Sequence, residues 1–375
     1  MEIENFLSKN NSIKIERRKT LNYLAFIKFL AMIKIIKWHI IKWDKRTIDY
    51  GSRMCEILFI SSGFLVGYNY YKRNMPCDFE NAFKYSYKHL RNFYPLEFVL
   101  IIYIYFSRSR SYLNTSTKIE IFIANILMIK SWSRYKELAF SINAVSWFLS
   151  VLIFIYFLVP ILLQGIKKIK TSIILLLITV FIRVSIEEIN TNSIYKLYNA
   201  CLHHDPIIRM FDFYIGMLLI PMYFSLKYHF DKFKNNEFFR FVFTCIQILY
   251  PILIYYIMLN YNNKLYRCYF VLIFSVFVFV ASFDYGYLSI LFAKKIFIKI
   301  MSCQMEMYLI QTSIDRIFHN LLYKNKFFLY FHIEIQFMIK LIIIFTFSFL
   351  YRILLKEKFA KIFDSVLIKM KSILL

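Results

Sequence analysis

The sequence predicts an all-α fold: a polytopic transmembrane helix bundle of about ten spans, with both termini on the cytoplasmic side. Three observations point there. Hydrophobic residues fill 59% of the 375 positions and mean hydropathy is +0.51, outside the habit of soluble domains. Apolar runs of bilayer-like length recur from one end of the chain to the other. Gly and Pro number only six each, so little interrupts long helices.

Residues 1–20 form a basic N-terminal segment, expected in the cytoplasm. The first run, Leu21–Ile41, is too long for a signal-peptide core, and no small-residue cleavage site follows it. It is therefore expected to be an uncleaved first span. Further runs lie at 54–71, 93–106, 145–164, 171–186, 207–226, 238–259, 266–283, 296–318 and 335–355. The run 119–129 falls short of the roughly 17 residues that a span needs, and is expected to be re-entrant or interfacial. With ten spans, the basic segments 9–19, 72–91, 167–170, 227–234, 294–299 and 356–371 share one side, and Glu187 and Glu188 take the other. Segments 21–355 form one transmembrane domain. In the tail, 356–375, Phe359, Ile362, Phe363, Val366, Leu367 and Met370 recur at helical spacing among lysines. This suits an amphipathic helix lying on the membrane, or a frayed last turn.

Net charge is +25. The Lys and Arg residues flank apolar runs, as inside loops facing anionic headgroups do, so membrane lipids and not nucleic acid are the expected partners. The six cysteines show no paired spacing, which speaks against a disulfide framework or a zinc site. No metal and no bound cofactor is expected.

Ionisable side chains inside a span are costly and usually have a task. Lys28 and His39 both lie in the first run. Eleven residues apart, they share one helix face, about 16 Å from each other along the axis. An imidazole at this depth fits a proton-transfer role or a histidine solvated at the headgroup boundary.

Four later segments follow in order: E-I-L-F-I-S-S-G-F-L at Glu56–Leu65, R-N-F-Y-P-L at Arg91–Leu96, W-F-L-S-V-L-I-F-I-Y-F-L-V-P at Trp147–Pro160, and I-M-S-C-Q-M-E-M-Y-L-I-Q-T-S-I at Ile300–Ile314. Together with Lys28-x10-His39, their order and spacing resemble the acyltransferase-3 family of integral-membrane O-acyltransferases over roughly 21–355. His39 matches that family's essential histidine and Lys28 its arginine. Ser62, Gly63 and Phe64 match its S-G-F, Arg91 and Pro95 its R-x-x-P. Trp147, Leu149, Ser150, Tyr156 and Pro160 match its W-x-L-S motif, and Arg209 and Gly216 its R-x-x-x-F-x-x-G. Three positions depart: Lys28 lacks the planar fork of arginine, Leu152 stands where many members have Glu, and Gln311 where His is common.

The resemblance implies transfer of an acyl group, acetyl in the simplest case, from acyl-CoA to a hydroxyl of a cell-surface or lipid-linked glycan, in a bacterial inner membrane. His39 would be the general base, with Glu56 holding the imidazole as a triad carboxylate does. The basic segment Lys72, Arg73, Lys84, Lys88 and Arg91 suits the phosphates of coenzyme A, Arg91 above all, and Lys28 could touch the donor's arm. Ser62 and Gly63 suit close helix packing more than chemistry. Trp147 fits an interfacial anchor or a sugar-stacking platform; Arg209 and Gln311 fit acceptor or structural roles. Arg183 and Glu187, at i,i+4, are expected to neutralise each other. His203, His204 and Asp205 have metal-ligand residue types, but adjacent loop histidines are more simply solvated. A competing class is a transporter or exporter of polysaccharide or lipid-linked sugar. Against it stand the lack of repeated halves and of paired broken helices.

Overall fold

A computed structural model describes residues 21–40, 50–71, 75–107, 115–192, 202–260, 269–318 and 332–374. Among them there is helix and no strand. The basic N-terminal segment, Lys72 and Arg73 lie outside the described residues.

The helices are α1 (Asn22–Ile40), α2 (Tyr50–Tyr70), α3 (Phe79–Leu90), α4 (Tyr94–Ser107), α5 (Thr115–Ile126), α6 (Trp147–Leu162), α7 (Ile169–Asn192) and α8 (Pro206–Leu218). There follow α9 (Ile220–Phe230), α10 (Glu237–Asn260), α11 (Phe270–Ala281), α12 (Tyr287–Phe292), α13 (Lys295–Ser302), α14 (Gln304–Phe318), α15 (Ile333–Leu350) and α16 (Lys356–Leu374). Their starts are chemically marked. Asp78 caps α3 by accepting from the Asn81 amide at 2.7 Å. Asp205 caps α8 by accepting from the Ile207 and Ile208 amides at 2.8 and 3.0 Å, with Pro206 in the first turn where no amide donor is missed.

Among the described residues, five helices are long and apolar enough to cross a membrane: Ala144–Ile166, Ile169–Ile189, Pro206–Phe233, Glu237–Asn260 and Glu334–Val366. The apolar α4 and α11 are shorter. The expected span 296–318 is broken at Cys303 into α13 and α14. Along α14, Glu306 and Asp315 find their ion partners outside the helix, in Arg352 and Lys356 and in Lys340. The segment 119–129 covers the end of α5 and the turn after it, and the 12 residues of α5 reach about 18 Å, well under a hydrocarbon core of about 30 Å.

The main core is drawn from α1, α2, α6, α8, α11 and α14, with Phe59, Phe64, Phe213, Phe274 and Leu309 fully enclosed, and a smaller one gathers Ile101, Ile104, Ile121, Met128, Ile142 and Leu149. α6 is buried along most of its length, whereas α7, α10 and α15 turn exposed Leu177, Phe181, Leu249, Ile252, Ile342 and Phe347 outward, as lipid-facing helices do.

Two helices meet at their backbones. A Cβ on Gly63 of α2 would fall 1.8 Å from the Phe213 carbonyl oxygen, and one on Gly216 of α8 would fall 1.9 Å from the Ile60 carbonyl oxygen. Only glycine permits that approach. The tail is no frayed turn: α16 is helical throughout and continues α15 through one π-helical turn, Tyr351–Leu355.

Connectivity sets the two ends of the bundle. α1 climbs to His39 and α2 returns from there, so the segment containing Arg91 lies at the far end. Lys37 of α1 donates to both oxygens of Glu334 at 2.8 Å, which puts the start of α15 at the His39 end and its exit at the Arg91 end.

Candidate active site

At the His39 end, three helices contribute the same kind of pair. Arg53 and Glu56 lie on α2, Arg183 and Glu187 on α7, and Arg209 and Asp212 on α8. Each pair is bonded along its helix at i,i+3 or i,i+4: Arg53 Nη1 to Glu56 Oε1 at 2.6 Å, Arg183 Nη1 to Glu187 Oε2 at 2.7 Å, and Arg209 Nη1 to Asp212 Oδ2 at 2.6 Å. The pairs are also stitched across helices. Arg53 Nη2 donates to Glu187 Oε1 at 3.0 Å, and Arg183 Nε donates to Asp212 Oδ1 at 2.8 Å. Arg183 and Arg209 approach Glu56 Oε1 to 3.8 and 3.7 Å. All six residues are buried. Three guanidinium and three carboxylate groups cancel, which is how such burial is tolerated.

Glu56 therefore faces guanidinium groups. Its Oε1 accepts from Arg53, and its Oε2 has no hydrogen-bond partner among the described residues. A carboxylate expected to orient His39 is instead held by arginines, because α7 and α8 bring two of them to α2. Arg183 and Glu187, expected to neutralise each other, do pair and are also two members of this larger network.

His203 joins the cluster from the loop before α8. Arg209 Nε donates to the His203 carbonyl at 2.8 Å, and Arg209 Nη2 lies 3.4 Å from His203 Nδ1. The His203 ring packs on Trp147 with centroids 4.6 Å apart. Burial, and next the Arg209 guanidinium, hold His203 well below the usual imidazole pKa. His204 is buried and donates from Nε2 to the Ser133 carbonyl at 3.1 Å. The expectation of solvated loop histidines is corrected here: the Asp205 cap pins the loop to α8, and Trp147 and Phe140 cover the rings. His203, His204 and Asp205 point to different partners.

Trp147 is only 3% exposed, so it is neither an anchor at the membrane surface nor an open platform. It packs among Phe59, Phe148 and His203. His39 is half-buried near the end of α1, its ring 4.7 Å from that of Trp38. Lys28, deeper on α1, donates from Nζ to Ser62 Oγ of α2 at 3.0 Å.

A second polar site lies between α4 and α14. Asn143 Nδ2 donates to Glu97 Oε2 at 2.7 Å and to the Leu309 carbonyl at 3.3 Å, while Thr312 donates to Asn143 Oδ1 at 2.6 Å. Lys130 Nζ donates to the carbonyls of Ser141 and Asn143 at 3.2 and 2.6 Å. Gln311 is buried beside this network, with Nε2 donating to the Tyr308 carbonyl at 3.0 Å.

At the Arg91 end, Arg91 Nε donates to both oxygens of Asp364, at 2.8 and 2.7 Å. Lys88 is exposed on α3, and Lys84 pairs with Glu80. The structure thus joins Lys28 to Ser62 and Glu56 to Arg209, sets Trp147 against His203, and leaves Gln311 and Arg91 in separate surroundings. Sequence reasoning missed Arg53, Asp212, Glu97, Lys130 and Asp364. The recurrence of an arginine three or four residues before an acid, in three apolar helices, was the signal for the first two.

The family model described as Acyltransferase domain, acyltransferase-3, matches residues 21–355. No curated protein and no solved structure matches the chain. The chain belongs to the acyltransferase-3 family, and with its apolar helices it is a membrane acyltransferase.

Proposed function

We propose that this member of the acyltransferase-3 family is an O-acyltransferase that moves an acyl group, acetyl in the simplest case, from acyl-CoA to a hydroxyl of a cell-surface or lipid-linked glycan. The carrying observation is the placement of His39 and Arg91 at opposite ends of one packed core. The thioester is read as entering at the Arg91 end, where the cation meets its phosphates, and its arm as reaching past Lys28 toward His39. This reading takes about ten spans, with both termini and Arg91 on the cytoplasmic side of a bacterial inner membrane. The charged α1 and α2 then cross as well, shielded by the ion network and by the Lys28–Ser62 bond.

In the reaction, an imidazole nitrogen of His39 removes the acceptor hydroxyl proton as the oxygen attacks the thioester carbonyl carbon. The carbon–sulfur bond then breaks, and the leaving thiolate recovers that proton from the imidazolium. His203 and the arginine cluster are read as the frame that holds the acceptor end rigid. Mass spectrometry of surface glycans from wild-type, deletion and His39→Ala strains tests the reading. Acylation present in wild type and absent from the other two supports it; equal acylation in all three overturns it.

A further inference from the structure

Asp364 lies 273 residues beyond Arg91, on the tail helix α16, yet its carboxylate occupies the guanidinium. Tyr87 of α3 donates to Asp364 Oδ1 at 2.6 Å. Phe363 packs on Tyr87 and Tyr94, with centroids 6.2 and 5.2 Å apart. The Asp364 side chain is 14% exposed and that of Arg91 33%, so the tail's acid is the more enclosed partner. The contact is built from three aromatic rings, a hydroxyl and an ion pair.

The base of the same helix is built differently. α15 passes into α16 through the π-helical turn Tyr351–Leu355, an irregularity often found where helices serve function. Arg352 Nη1 donates to Glu306 Oε1 at 2.9 Å and to the Ser302 carbonyl at 2.6 Å. Lys356 Nζ donates to Glu306 Oε1 at 2.7 Å and lies 5.1 Å from the centroid of Phe93. Glu306 is buried on α14, so this end of α16 is anchored to the core, while Asp364 lies two turns farther out.

We infer that α16 is a self-blocking strap, in which the Asp364 carboxylate takes the place of a donor phosphate on Arg91 and must leave before acyl-CoA binds. The inference rests on the reading of Arg91 as the donor's dock. An oxyanion of the chain and an oxyanion of the ligand compete for one guanidinium, and the anchored base at Glu306 lets the helix move without being lost. Donor affinity is then reduced by the fraction of molecules that are strapped.

The test measures binding of coenzyme A to the full-length protein in nanodiscs, for wild type, Asp364→Asn and Arg91→Ala. Asp364→Asn should tighten binding about 5- to 10-fold, and Arg91→Ala should weaken it by at least that much. In wild type, coenzyme A should speed hydrogen exchange across 359–366, a readout that needs no variant. Unchanged affinity in Asp364→Asn, or exchange that coenzyme A leaves unchanged or slows, overturns the strap while the Arg91 dock stands. Unchanged affinity in Arg91→Ala overturns the dock and the strap with it.

Discussion

Gly63 and Gly216 face each other's helices where α2 and α8 cross, each replacing a Cβ that would overlap a main-chain carbonyl of the other helix. Glu56 precedes Gly63 by seven residues, and Arg209 precedes Gly216 by seven. Seven residues are close to two turns, so both charges return to the face that carries the glycine. The crossing thereby sets the register of the ion cluster as well as the distance between the helices.

Gly63→Ala should accordingly cost at least about 1–3 kcal/mol, since the obstructing atom belongs to the backbone and the helices must separate. Its melting temperature in detergent should fall below that of Gly67→Ala, where the nearest atom is a side-chain carbon of Ile220 at 2.7 Å. Equal melting of the two variants would show that the crossing does not set the spacing.

Removing one charge from the cluster should be worse than removing a matched pair. Glu56→Gln leaves three guanidinium groups facing two carboxylates and should cost about 3–5 kcal/mol. Adding Arg53→Met should recover part of that loss. The check is a double-mutant cycle on thermal melts; strictly additive losses would mean that the two charges do not couple.

His39→Ala should lower acyl transfer by roughly 10²- to 10⁴-fold with little change in melting, because the ring is half-buried at a helix end and not part of the closed core. A melt that collapses along with activity would assign His39 to structure.

Lys28 and Ser62 predict a smaller effect. Ser62→Ala takes away the oxygen that accepts from the Lys28 ammonium at 3.0 Å and should cost about 1–3 kcal/mol. Restoring a hydroxyl with Ser62→Thr should recover more of the melting temperature than Ser62→Val, which has a similar shape and no acceptor.

Stability should also fall in mild acid. His203 stays neutral in the fold, since burial and Arg209 hold it well below its ordinary 6.5. The unfolded chain takes up a proton as pH drops through about 6.5 and the folded chain does not, so stability is full above that value and declines below it. Melting temperatures from pH 7.5 down to 5.5 should fall more steeply in wild type than in His203→Asn. Parallel curves would remove His203 as the source.

Much of this was legible in one dimension. Periodicity and run length announced an all-helical membrane bundle, because an apolar stretch in lipid has to satisfy its own backbone. The glycine of S-G-F was recognisable as a packing point, because only a missing Cβ lets backbones touch. Lys28 and His39 could be put on one face by helical arithmetic alone. The partner of Gly63 could not be named, and neither could the break at Cys303, where the run still looked apolar.

What the tertiary structure alone decided is which charges meet. Arg53 lies 134 residues from Glu187, and Arg91 273 from Asp364, distances over which no local rule operates. A carboxylate read as a companion for imidazole became the counterion of arginines, and loop histidines read as wet became enclosed. The physical reason is the same in each case. Burying an ion is too costly without a partner, and the partner is chosen by how helices cross, while sequence spacing tells only which side chains share a helix face.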